Sequence, residues 1–374
     1  MNIGFDAKRA FCNARGLGNY SRDVVRILSH LAPANKYYLF TPKSNGVAPF
    51  DYSSANCTLV EPQNFWQKKF SSLWRTFGQS SLIDPLHLDI FHGLSNELPV
   101  GINKTKARTV LTMHDLIFIK LPHLYSWIDR RLYTKKYLHS CAIADKIIAI
   151  SRQTKEDLMD MAGIEEQKIE VVYQGCSPLF LRKAGEEEIL QIKQKYHLPA
   201  QYLLNVGAIE TRKNQALIIQ SLIVGQLDIP LVLVGQPTEY MQQLKTLISN
   251  AGIESKVIFL HQVSNADLPA IYQGASIFVF PSIYEGFGIP IVEALTSGVP
   301  VIAAKNSSLI EAGGQAAAYI ENNNAEQLAN VIDSILTHQD KRNAMIDAGL
   351  SHAKNFSDAH ICQQLVHIYT SVLQ

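Results

Sequence analysis

Two glutamates eight residues apart, Glu285 and Glu293, bracket the run Gly286-Phe287-Gly288-Ile289-Pro290. Ionised carboxylates only accept hydrogen bonds, which suits them to sugar hydroxyls. Gly286 and Gly288 lack a Cβ, so the backbone between the acids can lie close against a ligand. Pro290 fits the first turn of a helix, where its missing N–H costs nothing, and free N–H groups at such a start attract anions. Arg212 and Lys213 stand in the loop that runs from Gly207 to Asn214. They add a bidentate phosphate donor and a mobile point charge. Together the residues offer donors for a phosphate and, beside them, two acceptors suited to sugar hydroxyls. Taken singly, each motif also reads as an ordinary solvated βα loop or basic turn.

Elements of one kind must position these residues. Short apolar runs alternate with helical patterns in both halves, which predicts parallel βαβ construction, an α/β chain of two doubly wound modules. The expected strands are 3–6, 37–40, 89–92, 109–113, 146–150 and 170–173, then 202–206, 231–234, 257–260, 277–280, 299–303 and 317–320. The first module is expected over 1–180, a linker over 181–199, which lacks strand character, and the second module over 200–357. Helix 358–374 is expected to pack back on the first module. Ligands of such sheets bind at the carboxyl ends of the strands, so a cleft between the two sheets is expected to hold the motifs.

Composition sets the outer limits. The chain of 374 residues has 47% hydrophobic and 18% charged content, as an ordinary globular protein does. Its five cysteines are scattered, without Cys-x-x-Cys spacing, which speaks against a zinc site and for a reducing cytoplasm. Met1-Asn2-Ile3 leads directly into a strand pattern, leaving no room for a signal peptide. Residues 1–185 carry 24 Lys and Arg against 16 Asp and Glu, and residues 186–374 carry 10 against 17. A basic first half is compatible with an anionic membrane surface or a phosphate-linked acceptor, and it gives no sign of nucleic-acid binding.

The Glu-x7-Glu spacing of Glu285 and Glu293 and the Arg212-Lys213 pair resemble retaining glycosyltransferases of family four, which have the two-domain GT-B fold. The nearest look is to bacterial mannosyltransferases of surface-polysaccharide assembly. The resemblance implies that Arg212 and Lys213 hold the donor diphosphate, that Glu285 meets the donor sugar and that Glu293 accepts the ribose hydroxyls. It extends donor binding to Gly207, Gly286, Phe287, Gly288 and Ile289, with Val263 beside the base. It also places Gly16 and Gly18, in the loop before the helical pattern Ser21–Leu31, near the donor phosphate and the acceptor. As a Gly-x-Gly alone, that loop reads equally well as a structural turn. His114 is implied against the donor sugar, rather than as a base.

The strand-end polar residues His92, Asn96 and Asp115 are candidates for acceptor hydroxyls. No Asp-x-Asp pair occurs, which agrees with a metal-independent reaction without a cofactor, the nucleotide sugar being a GDP- or UDP-linked co-substrate. The function so implied is transfer of a hexose, first of all mannose from GDP-mannose, to a glycan or lipid-linked glycan. A nucleotide-sugar isomerase of the same fold and a non-catalytic homologue are the alternatives. The aromatic stripe from Phe65 to Phe77, with Lys68, Lys69 and Arg75, fits either a core or the inner membrane surface, and a core is the commoner fate of such a stripe.

Overall fold

The computed structural model describes residues 1–44, 50, 52 and 54–374. Two compact units emerge, one of Met1–Gly175 with Ser357–Gln374 and one of Cys176–Phe356.

The first unit is built on β1 (Asn2–Asp6), β2 (Lys36–Phe40), β3 (Cys57–Val60), β4 (Ile90–Gly93), β5 (Arg108–Met113), β6 (Lys146–Ala149) and β7 (Ile169–Val171). They form one parallel sheet in the order β3-β2-β1-β4-β5-β6-β7. Both faces of the central strands are covered, so these strands are largely apolar and successive residues feed opposite cores, while the edge strand β3 is half-exposed. Ile90, Val110 and Ile148 join one cluster, while Phe91, Leu111 and Ile147 join the other. The first cluster is closed by helix Gly16–Leu31, through Val24, Ile27 and Leu28, and by the C-terminal helix Asp358–Leu373, through Ile361, Leu365, Ile368 and Tyr369. Arg26 anchors that last helix with an ion pair to Asp358 at 2.6 Å.

The second unit holds β8 (Leu203–Val206), β9 (Leu231–Val234), β10 (Val257–Leu260), β11 (Ile277–Phe280), β12 (Val301–Ala304) and β13 (Ala318–Ile320), in the parallel order β10-β9-β8-β11-β12-β13. Chain order reverses between β8 and β11, which pair through Ile277 with Leu203 and Phe278 with Leu204. Loops leaving the carboxyl ends of these two strands must therefore be neighbours, the usual ligand position in a doubly wound sheet.

The stretch 181–199, expected as a linker, is instead built into the second unit. Glu186–Lys195 is a helix with three glutamates in its first turn and two lysines in its last, a charge order that suits the helix dipole. Gln273 ties it down by accepting from Ala184 N at 2.8 Å and donating to the Arg182 carbonyl at 2.8 Å.

The stripe 65–77 is not core. Its helical period breaks at Phe70, where the backbone leaves the helical region, and the chain then passes into a wide turn in which Gln79 N donates to the Trp74 carbonyl five residues back. Of its aromatic side chains Trp74 alone is buried.

Candidate active site

Arg212 and Lys213 lie in the loop after β8, and Glu285 in the loop after β11. The switch between these strands brings them together. Glu285 Oε1 accepts from Lys213 Nζ at 2.6 Å, and its Oε2 faces Arg212 Nη1 at 2.8 Å. Arg212 is held further by the Tyr284 carbonyl at 2.7 Å and by Glu210 Oε1 at 2.6 Å. Its own carbonyl accepts from Ile283 N at 2.9 Å, so backbone as well as charge joins the two loops. Lys213 Nζ also sits 4.8 Å from the Phe280 ring centroid, a cation–π contact at the floor of the cluster.

Burial pushes the Glu285 carboxyl up, but the Lys213 and Arg212 charges outweigh it and hold its pKa down to about 2. Glu285 is thus ionised throughout the physiological range: it can accept from hydroxyls and cannot donate a proton. The cations are largely neutralised in this arrangement. An incoming diphosphate would take over part of the compensation Glu285 now supplies, which would turn that carboxylate toward other donors.

The loop carrying Glu285 is pinned by residues that sequence reasoning missed. Asn306 Nδ2 donates to the Ser282 and Ile283 carbonyls at 2.6 and 2.9 Å, and Ser308 Oγ donates to the Glu285 carbonyl at 2.8 Å. Glu210 was also missed. All three are distant in sequence or of common type, and only their contacts mark them.

Gly288 has φ +146°, closed to side chains, and a Cβ there would come within 3.1 Å of Ala312. It opens helix Ile289–Thr296, with Pro290 in the first turn. Glu293 on that helix accepts from the hydroxyl of the fully buried Tyr272 at 2.9 Å. The Phe287 ring is in the core, edge-on to Phe356 at 5.5 Å, so only its backbone faces the loop's chemistry. Gly207, at φ +151°, is pressed against the end of the next strand, where a Cβ on Gly235 would lie 1.8 Å from the Gly207 oxygen. Val263 follows β10, two strands from β8, and the structure does not bring it to the clamp.

The first unit contains a different polar centre. His114 directly follows β5, with both ring nitrogens engaged: Nε2 donates to the Leu94 carbonyl at 2.9 Å and Nδ1 accepts from Gln174 at 3.2 Å. Tyr20 packs edge-on against the ring at 4.7 Å. Burial lowers its pKa to about 4, so His114 is neutral at pH 7.

Asn96 and Asp115 serve the backbone here. Asn96 Oδ1 accepts from His114 N at 2.8 Å, and Asp115 Oδ1 accepts from Ile117 N at 3.1 Å, at the start of a short helix.

His92, expected at acceptor hydroxyls, is a correction. It is fully buried, with Nδ1 against the Tyr369 hydroxyl at 2.7 Å and Nε2 against Thr112 Oγ1 at 2.8 Å. Thr112 in turn meets the Tyr20 hydroxyl at 2.9 Å. The seam Tyr369–His92–Thr112–Tyr20 thus stitches the C-terminal helix to helix Gly16–Leu31 along one face of the sheet, and His92 has nothing left for a ligand.

The glycine loop is corrected too. Helix starts at Gly16 rather than Ser21, because Gly18 N and Asn19 N both turn back to the Arg15 carbonyl, at 2.8 and 3.0 Å. Gly18 has a packing reason, since a Cβ would lie 1.8 Å from the Asn13 oxygen, whereas a Cβ on Gly16 would meet open space. Arg75, read above only as a cation of the stripe, instead grips Asp6 at the end of β1 at 2.6 Å and Glu97 in the loop after β4 at 2.8 Å.

Comparison with known proteins bears on this arrangement. Residues 20–178 match the family description Glycosyltransferase Family 4, and residues 187–352 match Glycosyl transferases group 1. The O-antigen chain mannosyltransferase B of Escherichia coli is 31% identical, over 75% of this chain and 74% of that protein. The serotype-specific mannosyltransferase WbdA of Escherichia coli is 28% identical over 77% of this chain, which spans 36% of that longer protein. Among solved structures, Anabaena HepE in complex with UDP and glucose aligns over 99% of each chain with a TM-score of 0.74 at 19% identity, a likeness of fold. With two parallel Rossmann-like sheets, both family descriptions matched and a relative above 30% identity, this chain belongs to glycosyltransferase family 4 and has the GT-B fold.

Proposed function

We propose that this glycosyltransferase moves a hexose, first of all mannose from GDP-mannose, onto a lipid-linked glycan at the cytoplasmic face of the membrane, with retention of configuration and without a metal. The observation that carries the proposal is the joining of Arg212 and Lys213 on Glu285 where β8 meets β11. Two cations there oppose the charge that grows on a departing diphosphate, fixed in place before reaction begins. A hydrogen bond to a charged group contributes about 1.5–3 kcal/mol. Glu285, ionised and released by the phosphates, accepts from sugar hydroxyls, and Glu293 from ribose. His114 has its ring N–H on the Leu94 carbonyl and its lone pair on Gln174, so it can meet the sugar only by exchanging one of these partners, and not as a base. The names of the relatives favour mannose and an O-antigen-type glycan, and the UDP in HepE keeps UDP-sugars as the second donors to try. No observation favours the isomerase alternative.

A thermal-shift panel of GDP-, UDP- and ADP-sugars tests the donor. Saturation at ~100 times the dissociation constant adds about 2.7 kcal/mol of native-state stability. The donor that shifts the wild type but not Arg212→Ala/Lys213→Ala is then offered with a glycan acceptor, with and without EDTA, and the product anomer is read by NMR. The account expects EDTA to leave the rate unchanged and the donor's anomeric configuration to be kept. Inversion, or full loss of activity in EDTA, overturns the mechanism.

A further inference from the structure

Among the described residues, the large exposed aromatic side chains, Phe65, Trp66, Phe70, Phe77 and Trp127, all fall in two segments of the first unit. The stripe 65–77 is one. The other is helix Trp127–Ile143, which the sequence reading did not single out. Trp127 and Ile128 are 64% and 63% exposed, and Leu132 and Leu138 continue the outward face with Arg131, Lys135 and His139 set among them. Ile128, Leu132, Lys135 and His139 recur at helical spacing, so apolar and basic groups share one solvent-facing stripe.

The two segments are tied together by Glu97, which pairs with Arg75 from the first at 2.8 Å and approaches Lys136 from the second at 4.0 Å. Residues 62–83 and 127–143 together carry seven Lys and Arg and a single acid, Asp129; of the seven, Arg75 is largely buried against Asp6 and Glu97, which leaves six for the surface. Cations lean on the exposed rings, Lys69 at 5.7 Å from Trp66 and Arg131 at 4.6 Å from Trp127.

We infer that these segments form one surface that docks on an anionic lipid bilayer, with the Trp127–Ile143 helix as its principal contact. Large exposed apolar side chains call for a covering partner. Protein interfaces are depleted of lysine, whereas an interfacial helix sets Trp and Leu among Lys and Arg so that rings enter the headgroup boundary and cations meet anionic lipid. Among the described residues no helix is long and apolar enough to cross a membrane, so contact at the interface is the mode available to this surface. The inference deepens the peripheral contact in the proposed function, and its test uses neither donor nor acceptor, so the two can fail separately.

The test is flotation of the whole protein with vesicles of phosphatidylcholine alone or with about one third phosphatidylglycerol, at low and high salt. Wild type is expected to float with the anionic vesicles and to be released by salt. Arg131→Gln/Lys135→Gln should bind them about 25-fold more weakly, the fold-change that corresponds to about 1 kcal/mol for each basic residue near the surface. Trp127→Ser/Ile128→Ser should reduce binding and leave the salt dependence in place. Because these side chains are exposed, both variants should melt as wild type does. Equal flotation with neutral vesicles, or undiminished binding by both variants, overturns the inference. So does a sedimentation profile in which wild type is a dimer that the same substitutions dissolve, which would give the face to a second copy of the chain.

Discussion

The two units organise their polar centres in opposite ways. In the first, His92 and His114 are buried and neutral, and their ring nitrogens are spent on Tyr369, Thr112, the Leu94 carbonyl and Gln174. In the second, Arg212 and Lys213 converge on the ionised Glu285 and the three compensate one another, each side chain 12–15% exposed. A neutral network with every partner internal rigidifies a core. A balanced set of charges at a strand switch can exchange partners with a charged ligand. On the proposed function, the contrast separates holding the fold from handling the substrate, and each half of it can be attacked.

The largest effect should come from cutting the seam. Ending the chain at Phe356 removes Ile361, Leu365, Ile368 and Tyr369 from the core of the first unit. At about 1.5–3 kcal/mol for each buried side chain, the loss approaches the ~5–15 kcal/mol that stabilises a whole domain. Circular dichroism and hydrogen exchange should show the first unit unfolded, and a truncated protein with native exchange would break the distinction.

Next comes the clamp, where function should suffer and the fold should not. Lys213→Ala or Arg212→Ala is expected to lower kcat by one to two orders of magnitude, from ~1.5–3 kcal/mol at ~1.4 kcal/mol per decade, in a protein whose circular dichroism is native. Wild-type rates in both would remove the clamp from the chemistry.

Acid sharpens the comparison further. The folded-state pKa values of His92 and His114, about 3 and about 4, lie below the ordinary 6.5. Below pH 6.5 the unfolded chain therefore binds protons that the folded unit refuses, and stability falls as pH drops. By pH 5 the loss is about 2 kcal/mol per histidine, at 1.36 kcal/mol per pH unit. Glu285 loses stability in the same direction but over a lower window: its contribution is complete above the ordinary 4.5 and fades only as pH falls toward about 2. Hydrogen exchange at pH 5 should find the first unit loosened and the second intact. The reverse order would mean the histidine seam is not what holds the first unit.

The smallest effects separate the two glycines at the helix start. Gly18→Ala should destabilise by about 1–3 kcal/mol, the cost of overpacking. Gly16→Ala should be neutral or stabilise by about 0.5–1 kcal/mol. If a ligand uses the open space at Gly16, its variant raises KM for the donor while Tm holds.

Much of the architecture was legible in the sequence because fully covered parallel strands must be apolar. Runs such as Ile277–Phe280 and Leu231–Val234 stand out on that ground alone. β3 was missed because it is a half-exposed edge strand, Cys57-Thr58-Leu59-Val60, with little apolar signal. The clamp was legible because charge and glycine are rare together at a strand end. Partner identity was not: nothing local says that His92 turns inward to Tyr369, 277 residues away, or that Asn306 holds the Glu285 loop. Periodicity also misled at 65–77, since a stripe reads as core only while the helix stays continuous.

The most direct test of the clamp is calorimetry of GDP, GDP-mannose and guanosine on wild type and on Arg212→Ala/Lys213→Ala. The account predicts that the variant loses at least tenfold in affinity for both diphosphates and leaves guanosine binding unchanged, with UDP compounds substituted if UDP proves the donor base. Equal diphosphate affinity in the two proteins would contradict it, and would leave Arg212 and Lys213 as structural partners of Glu285.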